Sequence, residues 1–234
     1  MKKLILQNIF DCFADWSKQF KIACDKGCAL CCTQDVTMTA VEGELILDFI
    51  RSRSMQPWLE QVLNGRLPDV HLSRTTNQYA QACLNGIEVK IGSGRFDAVC
   101  PFLHNDLCRI YPVRPFSCRC FASTQICRKG ASASLPPEYL SAATAVTQII
   151  EHLSQFDHWG NMLHVLYLQV CDASARVLED GANLEAARSG CLRAQPLPGF
   201  LISEEETALV FPLVESIFKT VIDHRTIEDI LNGR

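Results

Sequence analysis

CPFLHNDLCRIYPVRPFSCRCF, Cys100–Phe121, is the stretch around which the rest of this chain has to fold. It carries Cys100, Cys108, Cys118 and Cys120 within twenty-one residues. A second crowded stretch, CDKGCALCC, adds Cys24, Cys28, Cys31 and Cys32. Sixty-seven residues separate Cys32 from Cys100. Thiolates are soft ligands that suit zinc, copper(I) and iron–sulfur clusters. The simplest geometry folds the two windows against each other around one inorganic centre.

The whole chain permits this. It has 234 residues, 48% hydrophobic and 21% charged, an ordinary globular composition able to bury a core without disulfide staples. The net charge is −4, and the lysines and arginines are scattered, so the electrostatic footprint of a nucleic-acid binder is missing. A membrane-surface role is equally unsupported, and no apolar run approaches the ~18 residues that span a bilayer. The N-terminal apolar stretch stops at Gln7-Asn8, short of the ~7–15 residues of a signal peptide's apolar region. The expected compartment is the cytoplasm, where thiols stay reduced. Thirteen cysteines, an odd number, also argue against a closed disulfide framework.

Hydrophobic periodicity predicts a mainly α protein with a small β ribbon near the cysteines and a helical C-terminal half. Leu4, Ile9, Phe13, Trp16 and Phe20 mark an amphipathic first helix. Thr39 caps a second, with Glu42 completing a capping box and Val41, Leu45, Ile46 and Phe49 as its stripe. Pro57 opens a short third helix, and a weaker one covers Arg74 to Leu84. Asn85-Gly86 is a turn signal, and Ile87, Val89 and Ile91 alternate with polar residues. This predicts a ribbon, with QDVTMT, 34–39, as its pairing partner. Leu140, Ala143, Val146, Ile150 and Leu153 form one C-terminal stripe. Leu163, Leu166, Val170, Ala173 and Val177 form a second, and the two helices are expected to pair antiparallel. Residues 181–200 read as a loop. Ser203 with Glu206 starts another helix, which Pro212 would kink, and a short helix ends the chain. Residues 1–130 are read as the cysteine-cluster region and 131–234 as a helical region packed on it in one compact unit. Strands do not alternate regularly with helices, so a Rossmann sheet or β/α barrel is not expected.

Structural zinc usually shows two C-x2-C pairs or Cys and His pairs. Here the second window has gaps of seven and nine residues, which fit a larger centre gripped from several directions. A 4Fe-4S cluster takes about four thiolates. Iron–sulfur is therefore the first reading and zinc the alternative. All eight clustered cysteines are candidate ligands. Successive side chains usually diverge, so one of Cys31 and Cys32 is expected to ligate while the other stands behind it or bridges. Arg114 and Arg119 are candidates to offset thiolate charge, with packed stems or carboxylate pairs as the competing role. The Tyr111 hydroxyl is a candidate to support the centre. Cys12, Cys83, Cys127, Cys171 and Cys191 read as ordinary packed thiols. His152, His158 and His164 stand six residues apart and do not share a helical face. Glu204, Glu205 and Glu206 suit the first turn of a helix. No Ser/His/Asp arrangement, phosphate loop or paired-carboxylate site is recognisable, and catalytic residues stay unassigned.

Cys24-x3-Cys28-x2-Cys31 resembles the three-cysteine motif of radical S-adenosylmethionine enzymes, without their alternating barrel pattern. The two windows together resemble something more specific. Cys100-Pro101-Phe102-Leu103, Cys108-Arg109-Ile110-Tyr111, Arg114-Pro115 and Cys118-Arg119 are similar to the signature of the CxxCxxCC, or YkgJ-type, family of zinc- or iron-chelating proteins. The first window departs from it, with three residues between Cys24 and Cys28. Cys120 lies outside the signature. The resemblance covers residues 24–121 and implies metal binding, most naturally iron–sulfur. A relative with a similar cluster, the flagellin lysine N-methylase, extends the implication to S-adenosylmethionine-dependent modification of protein lysines. The helical half would then serve as a platform for a protein partner or substrate. A metal chelator or metallochaperone is the further alternative.

Overall fold

The computed structural model describes residues 1–89, 98–128, 132–174 and 181–234. In chain order, α1 (Lys2–Ser17) leads through the first cysteine loop to β1 (Thr37–Thr39) and α2 (Ala40–Ser52), then α3 (Gln56–Leu63) and α4 (Thr76–Leu84). The second window contains β2 (Leu103–His104), β3 (Leu107–Cys108), a 3-10 turn over Tyr111–Val113 and the short α5 (Phe116–Cys120). Next come α6 (Pro137–Leu153), β4 (His158–Asn161), α7 (Met162–Ser174), α8 (Gly181–Ser189) and β5 (Cys191–Arg193). The chain closes with α9 (Glu204–Lys219), β6 (Val221–Ile222), β7 (Arg225–Thr226) and α10 (Ile227–Leu231). The expected class holds: mainly α, helical in its C-terminal half, with a small ribbon, β2–β3, inside the cysteine cluster.

Two apolar clusters organise these elements. In the first, Ile5, Leu6, Ile9, Phe10 and Phe13 of α1 meet Ile149 of α6, Leu213 of α9 and Ile227 of α10. In the second, Ile46 and Ile50 of α2 meet Leu59 of α3, Leu166 of α7, and Phe102 and Ile110 of the cysteine window. Helix α2 touches both: Val41, in its first turn, faces the first cluster, and Ile46, Leu47 and Ile50 face the second. Its capping box forms as expected, with Thr39 and Glu42 satisfying each other's donors. Thr75 with Gln78 and Ser203 with Glu206 form two more boxes, on α4 and α9. Helix α9 continues through Pro212.

Several expectations change. Leu4 and Leu140 are exposed, because α1 and α6 bury neighbouring faces, through Ile5 and Leu6 and through Tyr139 and Ala142. Helices α6 and α7 do not form the expected pair. Helix α6 packs on α1, α4 and α9, whereas α7 packs on α2, α3 and α8, the two clusters having claimed one each. β1 pairs antiparallel with β4, Thr37 against Asn161 and Thr39 against Trp159, and β4 pairs in turn with β5. Strand β1 therefore does not pair with the stretch beginning at Ile87. Ile87 and Val89 lie outside any strand, and Ile91 lies outside the described residues, as does Val177. Residues 181–200, read as a loop, contain α8 and β5.

Candidate metal centre

The first loop is built from turns. Cys28 N–H donates to Asp25 O at 3.0 Å, with Gly27 at φ 101° making the reversal that a side chain would strain. Cys32 N–H donates to Ala29 O at 3.0 Å. Just beyond, the loop meets the second window directly. Cys100 N–H donates to Cys32 O at 2.9 Å and Gln34 N–H to Ala98 O at 2.8 Å, around an antiparallel bridge between Thr33 and Val99.

The second window is folded by its own residues. Asn105 and Asp106, at φ 50° and 60°, turn the β2–β3 hairpin, as these residue types do when both central positions need positive φ. Its register sets Leu103 opposite Cys108. Phe102 is fully buried beside Trp58, with ring centroids 5.5 Å apart, and Ile110 is buried in the same cluster. These two apolar anchors hold Cys100 and Cys108 against the second cluster. Pro112 and Pro115 then carry the chain into α5 and Cys118.

Electrostatics report which thiols share a neighbourhood. Cys32 is influenced by the charges of Cys100, Cys118 and Cys108, and Cys118 by those of Cys100 and Cys108. These four, drawn from both windows, lie within one another's electrostatic reach, and Cys120 also reaches Cys118. Burial pushes the Cys100 thiol up to about 11 and raises Cys108 and Cys118 as well. Cys32 goes the other way, because the adjacent Cys31 thiol donates a hydrogen bond to its sulfur. That bond, with burial behind it, raises Cys31 strongly. So the adjacent pair divides: Cys32 joins the shared group while Cys31, exposed, stands behind it. Backbone N–H groups of Phe102 and Leu103 favour a thiolate at Cys100, and that of Ile110 favours one at Cys108.

The other candidates lie elsewhere. Cys24 faces Cys28, Cys127 and Cys31, and its sulfur is 4.0 Å from Ser123 O. Ala23 N–H donates to the same carbonyl at 2.8 Å, a second tie between the first loop and the end of the second window. Cys127 had no motif to mark it, and only the fold brings it near Cys24. Cys120 packs on the first cluster, beside Glu42 and Tyr139, with its charge still felt at Cys118, and burial pushes its thiol up to about 12. Among the described residues, no group of three or more Cys, His, Asp or Glu side chains stands close enough together to hold a metal ion, so the four thiols are neighbours and not a formed site.

The two arginines have different roles. Arg114 stacks on Tyr111, 3.8 Å from the ring centroid, donates to Tyr111 O at 2.9 Å, and its charge favours thiolates at Cys108 and Cys118. Arg119 is mainly a clasp. It donates to Pro112 O at 2.6 Å and Arg114 O at 2.9 Å and lies over the Phe10 ring, with burial lowering its pKa. Tyr111 contributes its ring and carbonyl, and Lys26 of the first loop lies 5.8 Å from the same ring. Glu42 was legible only as a helix cap, yet its other oxygen accepts from Phe116 N at 2.7 Å, at the start of α5.

Residues 23–136 match the family model CxxCxxCC, described as "Putative zinc- or iron-chelating domain". This segment belongs to the CxxCxxCC family. The matched segment spans both cysteine windows and ends just before α6. No curated protein and no solved structure matches the chain. The donor chemistry of Cys32, Cys100, Cys108 and Cys118 suits the soft or borderline metals of the family description: four sulfurs, three of them largely shielded from water, with N–H groups already turned toward two. No helix among the described residues is long and apolar enough to cross a membrane.

Proposed function

We propose that this CxxCxxCC-family domain holds one metal centre, an iron–sulfur cluster of the 4Fe-4S type, through Cys32, Cys100, Cys108 and Cys118. The observation that carries the reading is the backbone pairing of Cys32 with Cys100, which puts the thiols of two remote windows within each other's electrostatic reach. Four thiolates meet the needs of a cubane cluster. N–H groups at Cys100 and Cys108 and the Arg114 charge offset the negative charge that such a centre gathers. Gaps of seven and nine residues around Cys108, with Phe102 and Ile110 buried between the cysteines, let each sulfur approach from its own direction.

When bound, such a cluster supplies one-electron transfer or a Lewis-acid iron. The protein's part is to orient the thiols, to shield Cys100 and Cys118 from water, and to hold Arg114 near them, whose charge favours thiolates at Cys108 and Cys118 against the effect of burial. Exposed Cys31 adjoins these thiols through its hydrogen bond to Cys32.

Anaerobic metal and acid-labile sulfide analysis tests this. About four irons with matching sulfide per chain and broad absorption near 400 nm are expected. Stoichiometric zinc in a colourless protein would replace the cluster with a tetrahedral zinc site on the same sulfurs. Methyl transfer from S-adenosylmethionine to protein lysines rests on the family likeness alone. Calorimetry of the loaded protein with S-adenosylmethionine tests it, and absence of binding removes it.

A further inference from the structure

Glu42 is 3% exposed, in the first turn of α2, and both of its carboxylate oxygens are engaged. Oε2 accepts from Thr39 N–H at 2.7 Å and from the Thr39 hydroxyl at 2.9 Å, which completes the cap of its own helix. Capping requires nothing more. Oε1 is instead given to Phe116 N–H at 2.7 Å, across 74 residues of sequence. Phe116 is the first residue of α5, and Cys118 is the third.

A five-residue helix has no stability of its own. Its place is set by what ties it down. Ser117 Oγ donates to Thr37 O at 2.7 Å, fastening α5 to β1. Arg119 fastens it to Pro112 and Arg114. The Phe116 ring is buried between Phe10 and Phe13. The Glu42 bond is the buried member of this set of polar ties; burial raises the Glu42 pKa, the Phe116 and Thr39 donors oppose that, and breaking the bond would strand a buried N–H. It comes from α2, the helix shared by both clusters, so it references α5 to the rigid part of the fold rather than to its own loop.

We propose that Glu42 is a positioning residue of the metal centre: by holding Phe116 N–H it sets the seat of α5 and hence the point from which the Cys118 sulfur meets Cys32, Cys100 and Cys108. This rests on the reading that Cys118 is a metal donor.

The test compares wild type with Glu42→Asp, Glu42→Gln and Ser117→Ala, all as full chains. Zn²⁺ affinity is measured by competition with a chromophoric chelator, and thermal unfolding of each metal-free protein is measured beside it. Asp at this position keeps a carboxylate near Thr39 but is one methylene too short for Phe116. Gln spans the distance. Glu42→Asp is expected to weaken zinc about 10- to 100-fold, as loss of a residue orienting a metal ligand does, and Glu42→Gln less. Ser117→Ala, which removes a half-buried tie of the same helix, is expected to weaken zinc by a smaller factor. If Glu42→Asp does not fold, Ser117→Ala with Glu42→Gln carries the test. Wild-type affinity in the folded variants overturns the proposal, and so do losses that merely track metal-free stability across the series. A wild type that takes up neither zinc nor, on anaerobic reconstitution, iron and sulfide fails the metal reading itself. Wild type that binds, with variants unaffected, fails the positioning role alone.

Discussion

The backbone N–H of Cys100 donates to the carbonyl oxygen of Cys32 at 2.9 Å. Two cysteines with sixty-seven residues between them are thereby locked in register, with a second bond from Gln34 to Ala98 beside them. Closing so long a loop costs entropy that grows only as the logarithm of its length. The burial of Phe102 and Ile110 on one side and the β1–β4 pairing that follows the first loop on the other hold it shut.

That register predicts which thiols matter. Cys100→Ser and Cys118→Ser, made singly, should each lower bound metal at least about tenfold at limiting metal, because a serine hydroxyl is a poor substitute for a soft thiolate. Cys28→Ser, whose thiol faces Cys24, and Cys171→Ser, on α7, should retain wild-type metal content. Metal analysis after anaerobic reconstitution reads all four. Loss in Cys28→Ser with retention in Cys118→Ser would assign the centre to the wrong sulfurs.

Cys120 separates packing from ligation. It is two residues from Cys118 on the same short helix, yet it packs into the first apolar cluster while Cys118 packs against the second. Cys120→Ala should keep its metal and lose about 1 kcal/mol of stability, a typical value for trimming a buried side chain. A urea titration of metal-free protein gives the stability, and metal analysis gives the content. If metal is lost while metal-free stability holds, Cys120 is a ligand.

The fold class and the helix caps were legible because they are local. Thr39 with Glu42 and Ser203 with Glu206 are three residues apart, and the structure forms both boxes. Which helices pair was not legible. Stripes on α6 and α7 show that each has an apolar face, but not that α9 covers one and α2 the other. The α6 stripe held at Val146, Ile150 and Leu153, which are buried, and missed at Leu140, where Tyr139 and Ala142 take the core face and periodicity alone does not choose between apolar neighbours. At the site, the eight motif cysteines stood out by density, but their division did not. Cys127 and the second oxygen of Glu42 acquire their partners only when remote segments meet, so nothing near them in sequence announces it.

Glu151 on α6 gives a pH dependence outside the metal site. Its carboxylate accepts from Asn77 N–H and Gln195 N–H, both at 2.8 Å, tying α4 and the strand-exit loop to α6. Burial raises its pKa, and these donors only partly oppose that. The folded chain therefore holds a proton here more tightly than the unfolded chain, whose value is about 4.3. This contribution to stability is full below that value and is lost as pH rises through the higher folded value. Glu151→Gln should flatten that part of the profile. It should also be less stable overall by about 1–3 kcal/mol, since one amide oxygen cannot serve both backbone donors. Urea midpoints from about pH 4 to about pH 8 test it through the difference in slope between the two proteins. A parallel pair of profiles would rule the carboxylate out as the source.

Gly190 supplies a prediction about the α7–α8 contact. A methyl group there would lie 1.7 Å from His164 Nδ1 and 2.3 Å from Cε1, far inside contact distance. His164 is fully buried and cannot swing aside, because its Nε2 is hydrogen-bonded to Pro68 O at 2.9 Å. Gly190→Ala should therefore cost about 3 kcal/mol, at the upper end of overpacking. The cause is specific, and a double-mutant cycle can isolate it. His164→Ala alone should destabilise by opening a cavity and freeing the Pro68 carbonyl. Adding Gly190→Ala to that background should cost little, because the ring that obstructed the methyl group is gone. Thermal unfolding of the four proteins measures the coupling. If the two losses simply add, the close approach of His164 to Gly190 is not what the glycine is for.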